Sequence, residues 1–188
     1  MHQKRPHVLG IDDGPFRKQQ DGEVPIVGVV MEGATLVEGV ALTSFPVDGA
    51  EATAFLADWV RGLRWMASLH AIVLGGITIA GLGVVDLRRL AGELDRPVLA
   101  VTRRETDGSD LAAALHAAGL SERMAVVERT PPAWRLERGL YVRAAGVEAA
   151  EAERLLRATL HKARLPEPLR VAHLIGAALV NGQSRGRV

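Results

Sequence analysis

The stretch Val8-Leu9-Gly10-Ile11-Asp12-Asp13-Gly14 decides how this chain folds. Its aliphatic run is typical of a buried strand, and the strand ends abruptly at two adjacent acids. Carboxylates beside a core are costly unless something compensates them, and carboxylate oxygens are the ligands that hard divalent cations prefer. Asp12 and Asp13 therefore indicate either one half of a metal site or an Asx-turn that closes the strand.

Length and composition indicate one soluble globular domain. The 188 residues suffice for one sizeable core and are few for two domains, so we expect a single domain over residues 1–188. The net charge of +1 predicts that any basic surface is local. The absence of cysteine excludes disulfides, thiolate metal sites and cysteine nucleophiles. No apolar run reaches membrane-spanning length, so we expect a cytoplasmic protein without membrane contact.

Strand patterns come first along the chain and then alternate with helix patterns. After the first strand, the predicted strands are Val24–Val30, Leu36–Phe45, Ala71–Ile79, Pro97–Thr102, Met124–Glu128 and Gly139–Ala145. The predicted helices are one through Phe55, Trp59 and Leu63, and then Val85–Leu94, Leu111–Ala118, Glu148–Leu160 and Leu169–Val180. This order predicts an α/β fold, a mixed sheet with helices on both faces. It matches a ribonuclease H-like fold and also fits several other α/β architectures.

Further acids follow later strands. Asp48 comes after the third strand, and Asp86 precedes a predicted helix. If the first and third strands end side by side, Asp12 and Asp48 would repel each other unless a cation lay between them. Metals held by several carboxylates activate water for phosphodiester cleavage. Each acid alone fits a structural role, because Asp48 and Asp86 could both cap helices; only the set favours a metal site.

Several segments, in one order, resemble the endonuclease dU family, which was long catalogued as a domain of unknown function. They are Gly10–Phe16, Val27–Gly33, Val47–Gly49, Gly76–Gly81, Val84–Asp86, Pro166–Ile175 and Gly182–Arg187. The family resembles, more distantly, endonuclease V. The resemblance implies a ribonuclease H-like fold and a metal-dependent nuclease that acts on deaminated bases.

The resemblance also assigns roles by position. Asp12 matches the first-strand aspartate of endonuclease V, and Asp48 falls where that nuclease has a metal-binding glutamate. Arg103 stands in place of a functional lysine; it can neutralise a phosphate but cannot donate a proton at neutral pH. Gly75 stands where endonuclease V has a metal-binding aspartate, so Asp86 or Asp13 would have to supply that carboxylate.

Other candidates surround this set. Arg170 and His173 share a face of the last helix, where Arg170 could hold a phosphate and His173 relay a proton; the alternative is a surface helix with a packed histidine. Arg104 follows Arg103 at the same sheet edge, and Arg185 could contact a nucleic-acid backbone or form a solvated terminus. Trp134, in a proline-rich segment, is the best candidate for base stacking.

The sequence thus predicts a Mg²⁺- or Mn²⁺-dependent endonuclease on DNA with a deaminated base, with RNA as an open alternative substrate. The predicted metal ligands are Asp12, Asp13, Asp48 and Asp86; Arg103 and His173 complete the catalytic set, and Arg104, Trp134, Arg170 and Arg185 the substrate contacts. One competing hypothesis is a non-catalytic nucleic-acid-binding protein with a weakened metal site. Another is a hydrolase of small phosphorylated molecules.

Overall fold

The computed structural model of the protein describes residues 5–18, 22–106, 108–136, 139–162 and 164–184. Within these ranges the strands are β1 (His7–Asp13), β2 (Glu23–Glu32), β3 (Leu36–Pro46), β4 (Ala71–Leu74), β5 (Thr78–Ile79), β6 (Gly83–Val84), β7 (Val98–Thr102), β8 (Trp134–Leu136) and β9 (Leu140–Ala145). The α-helices are α1 (Ala52–Arg61), α2 (Leu87–Leu94), α3 (Ser109–Ala117), α4 (Met124–Arg129), α5 (Ala149–Thr159) and α6 (Glu167–Asn181). Short 3₁₀ turns occupy Met66–Ser68 and Ser121–Arg123.

The large sheet has seven strands in the order β3-β2-β1-β4-β7-β9-β8, and β5 pairs with β6 separately. The first three strands are antiparallel neighbours, β4 and β7 join β1 in parallel, and β9 and β8 return antiparallel. This topology confirms the predicted mixed sheet of ribonuclease H-like type. It also brings the ends of β1, β4 and β7 to one edge, because parallel strands point the same way.

Both faces of the sheet are covered, which explains why the central strands are continuously apolar. Leu9 and Ile11 of β1 pack in one cluster with α1 and α2. Val8 packs on the opposite face in a cluster that includes residues of α5 and Leu169 of α6. Successive residues of β1 therefore project to different layers, and this alternation continues to the two acids at the end of the strand.

Gly10 sets how closely α6 approaches β1. A Cβ built on Gly10 would lie 2.3 Å from the backbone N of Leu169 and 2.3 Å from the backbone C of Pro168. No other residue type fits there without moving the backbone of the helix, since real Cβ atoms do not approach backbone atoms so closely. The glycine therefore lets the last helix lie directly on the central strand.

Three predictions of secondary structure are corrected. The strand predicted over Ala71–Ile79 ends at Leu74, because Gly75 and Gly76 break it and Gly76 has φ 144°. The strand predicted over Met124–Glu128 is wrong: this segment is helix α4, whose Met124, Val126 and Val127 pack against Leu115. A short apolar run does not distinguish strand from helix by its period. The segment around Trp134, predicted as a loop, forms β8.

None of the described helices combines the length and the apolar character that crossing a bilayer requires.

Candidate active site

The carboxyl end of β1 and the middle of α6 bring an acid and a histidine together. His173 Nδ1 lies 2.8 Å from Asp12 Oδ2, although 161 positions separate the two residues. An ionised carboxylate only accepts hydrogen bonds, so Nδ1 carries the proton and donates, and Nε2 is left as the acceptor of the neutral ring. The side chain of His173 is 62% exposed and that of Asp12 18%. The pair is therefore formed within the fold while its histidine stays accessible.

Charges around the pair show which groups are near it. The hydrogen bond to Asp12 raises the pKa of His173, and the charge of Arg103, just after β7, opposes that rise. Asp13 also favours the protonated ring through its charge. His173 thus interacts electrostatically with both Asp12 and Arg103.

Gly75, at the end of β4, faces the Asp12 carboxylate. A Cβ built on Gly75 would lie 3.1 Å from Asp12 Oδ1 and 3.8 Å from Leu169 Cδ1. Any side chain at this position would therefore contact the carboxylate directly. The resemblance expects an acid at this position. Such an acid would lie against Asp12, but this chain has a glycine there and so no side chain.

Asp13 and Asp48 hold a loop by accepting hydrogen bonds from its backbone. Asp13 Oδ2 accepts a hydrogen bond from Ala80 N at 2.7 Å, and Asp48 Oδ1 accepts one from Leu82 N at 2.8 Å. Lys18 Nζ lies 3.3 Å from Asp48 Oδ1. Burial, and then the neighbouring charge of Asp12, raise the pKa of the Asp13 carboxyl. The loop between β5 and β6 is thus anchored by two of the predicted metal ligands.

Backbone strain is concentrated in this region. Ala80 has φ 47° and Asp48 has φ 53°, in the left-handed region that residues with a Cβ seldom adopt. Such conformations persist where surrounding contacts impose them, and they are common near functional sites. Here the contacts are the two carboxylate–amide bonds, supported by a bond from Asp48 N to Ala80 O of 2.9 Å.

The predicted acids do not converge on one point. In the part of the chain that the structure describes, no three groups from Asp12, Asp13, Asp48 and His173 bring their ligand atoms within 4.8 Å of one another. A set that does so consists of His7, Glu32 and Glu38, at the opposite end of β1.

Asp86 occupies the capping position of α2. Its Oδ1 accepts hydrogen bonds from Arg88 N and Arg89 N, both at 3.1 Å, and caps α2, while Oδ2 lies 3.2 Å from Arg129 Nη2. Both of its oxygens therefore have partners in α2 and α4, as the capping alternative predicts.

Comparison with known proteins fixes the family. Residues 4–180 match the family described as Endonuclease dU. The chain belongs to the endonuclease dU family. It is 40% identical over 183 residues to a UPF0215 protein of Thermococcus gammatolerans, covering 94% of this chain and 93% of that protein.

Solved structures agree with this family fold. An Archaeoglobus fulgidus protein of unknown function is 34% identical with a TM-score of 0.87, covering 95% of this chain and all of that one. Endonuclease V of Ciona intestinalis, solved with DNA containing an inosine followed by a ribo-adenosine, is 14% identical with a TM-score of 0.56. That comparison covers 90% of this chain and 83% of the other, and it shows the ribonuclease H-like fold.

The remaining predicted contacts of the endonuclease dU chain fall in different places. Arg104 is exposed beside Arg103, and its carbonyl accepts a hydrogen bond from Thr102 Oγ1 at 2.8 Å. Trp134 packs against a core cluster of the sheet, and its buried Nε1 has no partner among the described residues. Its side chain is thus only partly exposed, and its role in base stacking stays a prediction. Arg185 lies outside the described residues.

Sequence reasoning missed the importance of Glu167. It begins α6 with a side chain only 5% exposed, and its Oε2 accepts hydrogen bonds from Arg170 Nε at 2.8 Å and Nη2 at 2.7 Å. A glutamate between two prolines, at the start of a helix, is the signal that could have found it, because Pro166 and Pro168 restrict the backbone around the side chain.

Proposed function

We propose that this chain is a metal-dependent endonuclease that cleaves a phosphodiester near a deaminated base in DNA, in a cytoplasmic repair role. The observation that carries the proposal is the Asp12–His173 hydrogen bond beside Arg103, at the strand-end edge of a ribonuclease H-like sheet. The family description and the fold shared with an endonuclease V that binds inosine-containing DNA support it.

The chain's own residues have distinct chemical tasks in this proposal. Asp12 fixes the tautomer of His173, so that Nε2 can take a proton from an attacking water or, once protonated, give one to the departing oxygen. Arg103 offsets the negative charge that accumulates on the phosphate, since its guanidinium stays charged at every working pH.

The residues present fit Mg²⁺ or Mn²⁺ as a metal shared with the substrate. Mg²⁺ keeps several waters and is held at phosphoryl-transfer sites by one or two carboxylates together with substrate phosphates, so a closed cage of protein ligands is not required. Asp12 would be the principal ligand, assisted by Asp13 and Asp48. Burial and the charge of Asp12 raise the pKa of Asp13, so a cation near these two carboxylates would be favourable. When bound, the ion would supply Lewis acidity at the phosphate.

Selection of a deaminated base would rest on extrusion of the nucleotide, because a mispaired base leaves the stack at lower cost. A small pocket adjoins the site, lined by Gly76, Thr102, Tyr141 and Arg143 among others, with a volume of about 20 Å³. This volume accepts about one water and no base. Binding of an extruded base in this pocket would therefore require the pocket to widen.

A nicking assay tests the proposal. Duplexes containing hypoxanthine or uracil, and the matching RNA, are incubated with the protein in Mg²⁺, Mn²⁺ or EDTA. We expect nicked product with a divalent ion, none in EDTA, and loss of product in Asp12→Asn. The matched control is Asp58→Asn, because Asp58 is an exposed acid paired with Arg61 on α1 and far from the sheet edge. Equal product from Asp12→Asn and wild type would refute the assignment.

A second candidate is a nucleic-acid-binding protein without catalysis. Gly75 in place of an acid, together with the backbone hydrogen bonds that engage Asp13 and Asp48, favours it. It predicts affinity for the same duplexes with no product under any divalent ion. The nicking assay combined with a binding measurement on the same folded sample distinguishes the two functions.

A further inference from the structure

Glu167 is the buried acid that the proposed chemistry does not use. It lies in the first turn of α6, and its side chain is 5% exposed. Both hydrogen bonds from Arg170, from Nε at 2.8 Å and Nη2 at 2.7 Å, go to the single oxygen Oε2. Its other oxygen, Oε1, is buried and has no hydrogen-bond partner in the described part of the chain.

A second glutamate–arginine pair in this protein has the same spacing of three residues but is exposed. The spacing alone therefore does not require Glu167 to be buried. On α5, Arg154 binds Glu151 at the same separation, and there the guanidinium engages both carboxylate oxygens. Those side chains are 44% and 52% exposed. Glu151 and Arg154 are thus satisfied in water, whereas Glu167 is held in the interior with one oxygen bare.

Stability alone does not account for Glu167. A buried ion pair often stabilises a fold no better than apolar residues of the same volume would, and a buried polar atom without a partner needs a specific explanation. The structure offers one: the partner of Glu167 is Arg170, whose side chain is 37% exposed. Glu167 fixes one edge of the guanidinium from inside the protein and leaves the rest of it accessible.

The fixed guanidinium lies next to the candidate active site. Arg170 precedes His173 by one turn on the same face of α6, a rise of roughly 4.5 Å along the axis. His173 is bonded to Asp12, so the two adjacent basic side chains of this helix are each held by a carboxylate. An arginine already held in one rotamer loses less conformational freedom when it binds a phosphate.

We propose that Glu167 is a positioning residue that holds Arg170 ready for a backbone phosphate of the nucleic acid, next to the phosphodiester at Asp12 and His173. The inference rests on the proposed function for its substrate class. Arg170 makes the phosphate contact, and Glu167 acts only through Arg170.

The direction in which DNA affinity changes in Glu167→Gln distinguishes a positioning role from a simple effect of charge. Glu167→Gln removes a negative charge, so the overall field alone would strengthen binding to DNA. Positioning requires the opposite. We expect binding to weaken about tenfold, and the slope of log K against log salt to become shallower by about 0.9, the value for one lost phosphate contact, although no positive charge is removed.

The experiment is a salt titration of a fluorescent hypoxanthine-containing duplex with the full chain in EDTA. Glu151→Gln is the matched control, because it removes the same charge from an exposed pair, and it should leave the slope unchanged. Arg170→Gln should show the same loss of affinity as Glu167→Gln, and the double variant no more than either.

The single-turnover rate of Glu167→Gln under saturating protein with Mn²⁺ should stay within about twofold of wild type, since the contact only positions the substrate. Tighter or unchanged binding by Glu167→Gln, with the wild-type slope, would overturn the inference.

A measurement on the wild type keeps the inference testable if Glu167→Gln does not fold. In NMR spectra, the Nε–H signal of Arg170 is assigned by its loss in Arg170→Gln. In the free protein this proton should be protected from exchange with solvent, and its chemical shift should change when the duplex is added. A signal that is unprotected, or that does not respond to the duplex, rejects the positioning role.

Failure of the inference and failure of the proposed function look different. If wild type has no affinity for either nucleic acid, both fall. If wild type binds and nicks while Glu167→Gln matches it, only the role of Glu167 falls. If wild type binds without nicking and Glu167→Gln binds less well, the catalytic proposal falls and the positioning role stands.

Discussion

The two ends of β1 carry similar residues in different arrangements. At its start, His7 Nε2 lies 2.9 Å from Glu38 Oε2, and Glu32 completes a group whose ligand atoms lie within 4.8 Å of one another. At its end, His173 binds Asp12, but Asp13 and Asp48 turn to the loop of Ala80 and Leu82. The tighter cluster of possible ligand atoms therefore lies at the start of β1, whereas the positive-φ residues Asp48 and Ala80 lie at its other end.

The origin of the residues explains the difference. His7, Glu32 and Glu38 come from adjacent hairpin strands, and Glu38 is the extra residue of a β-bulge opposite Val30 and Met31, which turns its side chain toward the others. The groups around Asp12 come from separate strands and a helix, joined only by tertiary packing. Convergence of ligand atoms in one static arrangement is thus weaker evidence for a site than convergence of distant elements.

Replacing one histidine near each end of β1 should give the largest difference in the rate of nicking. His173→Gln should lower the rate of nicking about 100-fold, the lower range for loss of a general acid or base, because no other described group takes over Nε2. His70→Gln, near the start of β1, should change the rate less than about twofold, since the hydrogen bond and the ring contact of the His70 side chain within the described residues are both with His7: it accepts a bond from His7 N and stacks on the His7 ring. Single-turnover rates in Mn²⁺ measure both; comparable rates for the two variants would place the chemistry elsewhere.

Breaking the contact between β1 and α6 should disturb the Asp12 end through packing. Gly10→Ala places a methyl group 2.3 Å from the backbone of Leu169, so we expect a loss of about 1–3 kcal/mol in the free energy of unfolding, the usual cost of overpacking.

The matched control is Gly92→Ala in α2, where nothing lies within 4 Å of the added Cβ. This variant should gain about 0.5–1 kcal/mol, because alanine favours the helix. Urea unfolding gives both values. An unaffected Gly10→Ala protein would show that the helix is not seated as described.

Supplying the missing carboxylate should make the Asp12 end a better metal site. Gly75→Asp puts an acid 3.1 Å, at its Cβ, from Asp12 Oδ1, so Mn²⁺ affinity should rise about tenfold through a second charged ligand. Gly75→Asn has the same size without the charge and should not reproduce the gain. Calorimetric titration of Mn²⁺ measures this, and equal affinities for the two variants would argue against Asp12 as a ligand.

The smallest effect concerns pH. The Asp12 bond raises the pKa of His173 above its ordinary value of 6.5, so the pair stabilises the fold fully below that value and loses its contribution as pH rises through the raised pKa. Because His173 is largely exposed, the stability lost in His173→Gln should be no more than about 1 kcal/mol at pH 6. In EDTA the difference from wild type should shrink toward pH 8; a difference that grows instead contradicts the assignment of charge.

The fold was predictable because its central strands are buried on both faces and their hydrophobicity is continuous. The Asp12–His173 contact was reachable only through the family resemblance, since residues 161 positions apart share no local pattern. The sequence left the role of Asp86 open, because an acid before a helix looks the same whether it caps or binds metal, and the structure shows the cap. The partial burial of Trp134 and the deep burial of Glu167 could not be predicted, because burial of a single side chain depends on tertiary packing, which local sequence does not encode.

The close seating of α6 on Gly10 has a consequence for biosynthesis. A chain made from its N-terminus can pair all its strands before the segment carrying His173 has been translated. Asp12 therefore waits without its histidine until the helix docks over the glycine. Under the proposed function, any chemistry that depends on this pair would therefore require α6 to be translated and docked on β1 first.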